Sequence, residues 1–177
     1  MLALIIGCEI AFWIVLGAGL VARYVAKAPR LGLALLICVP LVDLVLLIAT
    51  VIDLRAGATA EWAHGLAAVY LGFSVAYGHQ MVTWADGWAA YFWGSGPRPS
   101  KRYGREHAIW ALKDIGRAVL AGAIAVALLG LAVWYVDDPQ RTAGLTQWFG
   151  SVAVVVAIVV IIDVSDVLWP RKPKLAR

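Results

Sequence analysis

The sequence predicts an all-α, polytopic membrane protein: a bundle of five transmembrane helices with the N-terminus outside and the C-terminus cytoplasmic. Three observations carry that expectation. Hydrophobic residues make up 63% of the 177 and charged residues 15%, with a mean hydropathy of +0.84, which leaves too little polar surface to keep a soluble domain dispersed. Apolar segments of the ~20 residues needed to cross a bilayer, at ~1.5 Å per residue, follow one another along nearly the whole chain. Lysine and arginine concentrate in alternate connections, as retention on the cytoplasmic side requires.

The first span covers residues 2–22 and is closed by Arg23 and Lys27. It lacks a basic leader region and runs longer than the apolar part of a signal peptide, so it reads as a retained helix. The second covers 31–52 and ends at Asp53 and Arg55. The third, 61–84, is more polar, carrying Tyr70, Ser74, Tyr77, His79 and Gln80. An aromatic, amphipathic segment over 84–94 continues it along the interface. The run from Gly94 to Ser100 breaks regular structure with Gly and Pro. The fourth span covers 108–136, entering through a charged turn, and the fifth covers 147–169, stopped by Pro170. The whole of 1–177 is one transmembrane domain.

Orientation rests on the connections. The first carries Arg23, Lys27 and Arg30, the third Arg98, Lys101, Arg102 and Arg105, and the tail Arg171, Lys172, Lys174 and Arg177. The alternate connections hold Arg55 and Arg141 beside Asp53, Glu61, Asp137 and Asp138. Odd connections and the tail are therefore expected inside. Interfacial aromatics agree: Trp62, Trp134, Tyr135 and Trp148 mark the outer boundary, and Trp84, Trp88, Trp93, Trp110 and Trp169 the inner one. The net charge of +4 arises from these membrane anchors rather than from a recognition helix, so no nucleic-acid partner is expected. Cys8 and Cys38 fall in different spans at different depths, which argues against a disulfide.

Ionisable residues inside the bilayer are costly and mark candidate sites. Counting ~1.5 Å per residue from the outer boundary puts Glu9 about 12 Å, Tyr70 about 13 Å and Asp43 about 15 Å deep, all near the midplane. Thr50 and Asp53 share the Asp43 face, and His64 lies one turn below the surface. Together these residues form a polar track from outside to the Glu9–Asp43 level, where no Lys or Arg stands. Such a pair carries protons, holds a cation, or shares a proton as glue between helices. Pro40, one turn before Asp43, loosens the helix there.

A second cluster lies at the inner leaflet. It joins His79, Gln80 and Asp86 of the third span, Lys113, Asp114 and Arg117 of the fourth, and Asp163 and Asp166 of the fifth. Asp163 and Asp166 share a face and are placed to pair with Lys113 and Arg117, orienting the last two helices. The alternative reading is a site for a lipid headgroup or phosphate, built on Lys113, Arg117 and His79.

No metal site is expected: His79 and Asp86 sit seven apart, but no H-E-x-x-H or paired-Cys motif reinforces them. The sequence has no P-loop, G-x-S-x-G elbow or dinucleotide fingerprint, so no cofactor is expected. Gly65, Ala68, Gly72 and Ala76 form a small-residue stripe suited to close helix packing.

Several stretches resemble small YmcC-like membrane proteins of Gram-positive bacteria: Gly7-Cys-Glu9-Ile-Ala-Phe-Trp13, Pro40-Leu-Val-Asp43-Leu, Ile52-Asp53-Leu with Gly57-Ala-Thr59, Ala63-His64-Gly65-Leu-Ala-Ala-Val-Tyr70, and Trp84-Ala-Asp86. The resemblance covers the first half of the chain, while the last two spans match only in being apolar. It implies a multi-pass protein of the bacterial plasma membrane and brings no catalytic residues with it. Three functional readings follow. The first is binding or transport of protons, a cation or a small amphipathic solute through Glu9, Asp43, Asp53, His64 and Tyr70. The second is a non-catalytic accessory or scaffold subunit, and the third a membrane-embedded enzyme acting on a lipid or isoprenoid. Expected partners are membrane lipids and, because five helices are few for a transporter, a homo-oligomer or larger membrane complex.

Overall fold

The computed structural model describes residues 2–60, 62–92, 96–100 and 102–169; within them the side chains of residues 2–6, 8, 9, 43, 62 and 63 are outside the description. Among the described residues five helices follow in order: α1 (Leu2–Leu20), α2 (Pro29–Arg55), α3 (Trp62–Phe92), α4 (Gly104–Val136) and α5 (Ala143–Leu168). Among the described residues there is no strand. α2, α4 and α5 are each long and apolar enough to cross a membrane, and a shorter apolar helical stretch runs over Ile10–Val25.

Local chemistry sets the helix ends. A π-helical turn over Val21–Val25 prolongs α1, and Pro29 then opens α2 at a position where its missing N–H costs nothing. Gly57, at φ +118°, turns the chain out of α2. Asp137 closes α4 in the left-handed conformation, its N–H donating to the Val133 carbonyl at 3.1 Å. Asp138 Oδ1 then accepts the N–H groups of Gln140 (3.0 Å) and Arg141 (3.3 Å), forming the turn into α5.

The helices alternate in direction, and the connections gather at two ends. At one, the Ala60 N–H donates to the Arg141 carbonyl at 2.7 Å, which ties the α2–α3 connection to the α4–α5 connection. Arg55 there lies over the Tyr135 ring, 4.4 Å from its centroid. At the other end, Arg23 of the α1–α2 connection reaches Asp86 near the end of α3. We call this second end, which also holds the α3–α4 connection, the basic end.

α3, α4 and α5 pack together, α2 joins them through α3, and α1 packs on α2. The hydrophobic core lies toward the end opposite the basic one, with Leu47 and Leu54 of α2, Ala68 and Leu71 of α3, Leu129 of α4, and Leu145 and Trp148 of α5 among its members. The interior stripe of α4 reads His107, Ala111, Asp114, Ala118, Gly122, Ala125, Leu129, Ala132 and Val136. It is small or polar rather than bulky. Large apolar side chains instead point outward, including Ile48, Val119, Leu131, Val155 and Ile161. That inversion suits a lipid surround, where helices associate by close backbone approach. Gly65 and Gly72 show the approach directly: a Cβ on Gly65 would fall on the Trp148 indole, and one on Gly72 on the Ala121 carbonyl.

Candidate functional site

The two carboxylates of the midplane reading, Glu9 and Asp43, fall outside the described side chains. Tyr70, expected at their level, is 48% exposed and turned away from the core. Thr50 is buried in the α2 face that carries Leu47 and Leu54, while Asp53 and His64 are half-buried.

At the basic end the structure divides the expected inner cluster into three parts. The first is built on Asp86. Its carboxylate does not join the α3–α5 residues but turns to the α1–α2 connection. Arg23 Nε donates to Oδ1 at 2.7 Å, Arg23 Nη2 to Oδ2, and Tyr24 Oη to Oδ1 at 2.9 Å. Bonding to Arg23 holds the Asp86 carboxyl below its usual range against the opposing effect of burial, and Tyr24 adds to the lowering. Burial first, then the Asp86 carboxylate, pushes the Tyr24 phenol up. His79 and Asp86 share an approximate helix face yet serve different surroundings, since His79 is exposed and lines the α3–α4 cleft.

The second part is the buried α4–α5 seam, where the observed pairing differs from the expected one. Arg117 pairs with Asp114 of its own helix, Nη1 to Oδ1 at 3.5 Å. Asp166 meets His107, with Nε2 and Oδ2 3.3 Å apart. Lys113 is exposed and faces the cleft. Asp163 is 5% exposed, and its Oδ2 has no hydrogen-bond partner. Tyr77 Oη donates to the Asp114 carbonyl at 3.4 Å, and Gln80 Nε2 to Asp114 Oδ1 at 3.5 Å.

The third part is a cleft of about 860 Å³ between the end of α3 and the start of α4, covered by Pro99 and Ser100. Among the described residues it is lined by the permanent cations Arg102, Lys113 and Arg117, against the carboxylate of Glu106. Its aromatic walls are Trp84, Trp88 and Trp110. Arg102 sits over the Trp110 ring at 5.6 Å, and the His107 ring lies nearly parallel to that of Trp110 with centroids 6.3 Å apart. Cations offer charge-assisted donors to an anion, and tryptophans fit the boundary between headgroup and hydrocarbon. At Tyr77 the cleft adjoins an apolar groove bounded by α3 and α5 and floored by Ala118, Ala121, Gly122 and Ala125 of α4. Among the described residues no three His, Cys, Asp or Glu side chains converge to hold a metal ion.

Arg102, Glu106 and His107 were not among the sequence candidates. Arg102 reads as one more topogenic charge, and His107 precedes the apolar part of its span. The one available signal was spacing, because His107 and Asp114 are seven residues apart and fall on the same α4 stripe.

Comparison with known proteins gives one informative likeness. The chain is 44% identical over 172 residues to a Bacillus subtilis protein named "Uncharacterized membrane protein YmcC", covering 97% of this chain and 93% of that one. No family model matches the chain, and no solved structure matches it significantly.

Proposed function

Because the chain belongs to the family of the Bacillus subtilis membrane protein YmcC, we propose that it is a five-span protein of the bacterial plasma membrane that binds the anionic, phosphate-bearing head of a lipid in its α3–α4 cleft. In this reading the N-terminus is outside and the basic end is cytoplasmic, as the alternation of Lys and Arg between connections supports. α3 completes the five spans as a polar helix sheltered between α2 and α4.

One observation carries the ligand class: among the described residues Arg102, Lys113 and Arg117 line a tryptophan-walled cleft against the one carboxylate of Glu106. Cations clustered at the cytoplasmic boundary suit anionic headgroups, and tryptophan and arginine suit the interfacial depth. The adjoining apolar groove gives the attached chain a path toward the midplane. The cleft combines charge and shape with, in this orientation, interfacial depth.

The test is thermal unfolding of the purified chain in neutral detergent, with added phosphatidylglycerol or phosphatidylcholine. A ligand that binds only the folded state raises the unfolding temperature. Stabilisation by phosphatidylglycerol that exceeds that by phosphatidylcholine, and that is lost in Arg102→Ala/Lys113→Ala, supports the assignment. Equal response to the two lipids, or an undiminished response in the double variant, overturns it.

A further inference from the structure

Arg117 belongs to two environments at once. It lines the cleft, and it is the cation nearest to Asp114. The Arg117–Asp114 separation of 3.5 Å is longer than the ~2.7–2.9 Å of a tight charge-assisted bond. The guanidinium is therefore held loosely, and its side chain is still 30% exposed.

Asp114, at 8% exposed, has far less freedom. Its other side-chain contact is the Gln80 amide at 3.5 Å. Asp163 on α5 and the Gln80 carbonyl oxygen each present a buried oxygen with no partner among the described residues. Two acceptors facing no donor at this depth are unusual, because buried polar atoms are nearly always bonded.

The charged and titratable groups around the pair come from three helices. α3 contributes Tyr77, α4 contributes Arg117 and His107, and α5 contributes Asp166. Among the described residues three carboxylates thus face one permanent cation, with His107 Nε2 3.3 Å from Asp166 but hydrogen-bonded to nothing and also facing Asp163. Removing the cation from a buried pair leaves an uncompensated charge, which is strongly unfavourable. Such a site neutralises itself with a proton when one is available.

We propose that Arg117 is shared between the cleft and the buried carboxylates, so that an anionic head bound in the cleft draws the guanidinium off Asp114 and a proton taken up at the α4–α5 seam replaces it. Anion binding and proton binding are then linked, and linkage is reciprocal. The anion binds with uptake of a proton from the surrounding water, and acid tightens the anion. The inference rests on the assignment of the cleft as a headgroup site. It adds that the site senses or uses protons.

The experiment is isothermal titration of the purified full chain with short-chain phosphatidylglycerol, near neutral pH, in two buffers of different ionisation enthalpy. A phosphodiester head does not titrate there, so protons exchanged on binding belong to the protein. The account expects proton uptake in the wild type and affinity that rises on acidification, by up to about tenfold per pH unit for one linked proton. Asp114→Asn and Asp163→Asn should each bind the lipid with that uptake reduced or lost. Wild-type binding with identical heat in the two buffers overturns the linkage without touching the cleft. Uptake undiminished in both variants moves the proton to another group and also overturns it. No wild-type binding at all removes the cleft assignment and the linkage together.

Discussion

Arg23 and Asp86, 63 residues apart in sequence, meet in a two-point guanidinium–carboxylate pair that fastens the α1–α2 connection to the end of α3. Tyr24 adds a third bond to the same carboxylate, and Gly32 lets α2 pass directly over the Arg23 backbone. Arg23→Ala should lower stability by about 1–2 kcal/mol, a range kept modest because the Asp86 side chain is 40% exposed. Gly32→Ala should reproduce part of the loss by displacing Arg23. Asp86 has its folded-state value depressed, so the pair stabilises above the ordinary carboxylate range and weakens as pH falls below about 4. Thermal unfolding in detergent against pH, with Asp86→Asn as the reference that lacks this one titration, checks both the size and the direction.

Glycines separate into two groups by what surrounds them. Gly72→Ala places a methyl against the Ala121 carbonyl, and Gly65→Ala places one against the Trp148 indole. Each should destabilise by about 1–3 kcal/mol through overpacking. Gly116 and Gly150 meet nothing within 4 Å, so alanine there should be neutral or stabilising by up to about 1 kcal/mol. Melting temperatures of the four variants test the α3–α4–α5 packing; equal losses at all four would contradict it.

How much of this was legible in the sequence follows from what kind of signal each feature leaves. Long apolar runs and the Gly65–Ala68–Gly72 stripe are one-dimensional patterns, and the helices and the close contacts of α3 follow from them. Pairing between helices is different. The spacing of Asp163 and Asp166 sets their shared face on α5 but not the rotation of α5 against α4, and that rotation gives His107, rather than Lys113, to Asp166. Asp86 likewise follows from the position of the α1–α2 connection, which no periodicity on α3 encodes. The cleft was half legible. Lys113, Arg117 and His79 stood in the sequence cluster, but Arg102 and Glu106 reach the site only because the Pro-containing connection folds back over α3.

Topology can be checked independently of function. In a chain with Cys8 and Cys38 replaced by serine, a single cysteine at exposed Gln140 should react with a membrane-impermeant maleimide in intact cells. One at exposed Ser100 should react only after permeabilisation. The reverse pattern would invert the bundle, and labelling of both positions from outside would break the five-span count.

The central claim is that the α3–α4 cleft holds an anionic lipid head, and site mapping tests it most directly. A phosphatidylglycerol carrying a photoreactive group on its head, mixed into vesicles with the reconstituted chain, should label residues within 79–88 and 102–117. Unlabelled phosphatidylglycerol should suppress that labelling, and phosphatidylcholine should not. Labelling spread over the exposed apolar faces of α1 and α2, or equally suppressed by the two lipids, would contradict the account.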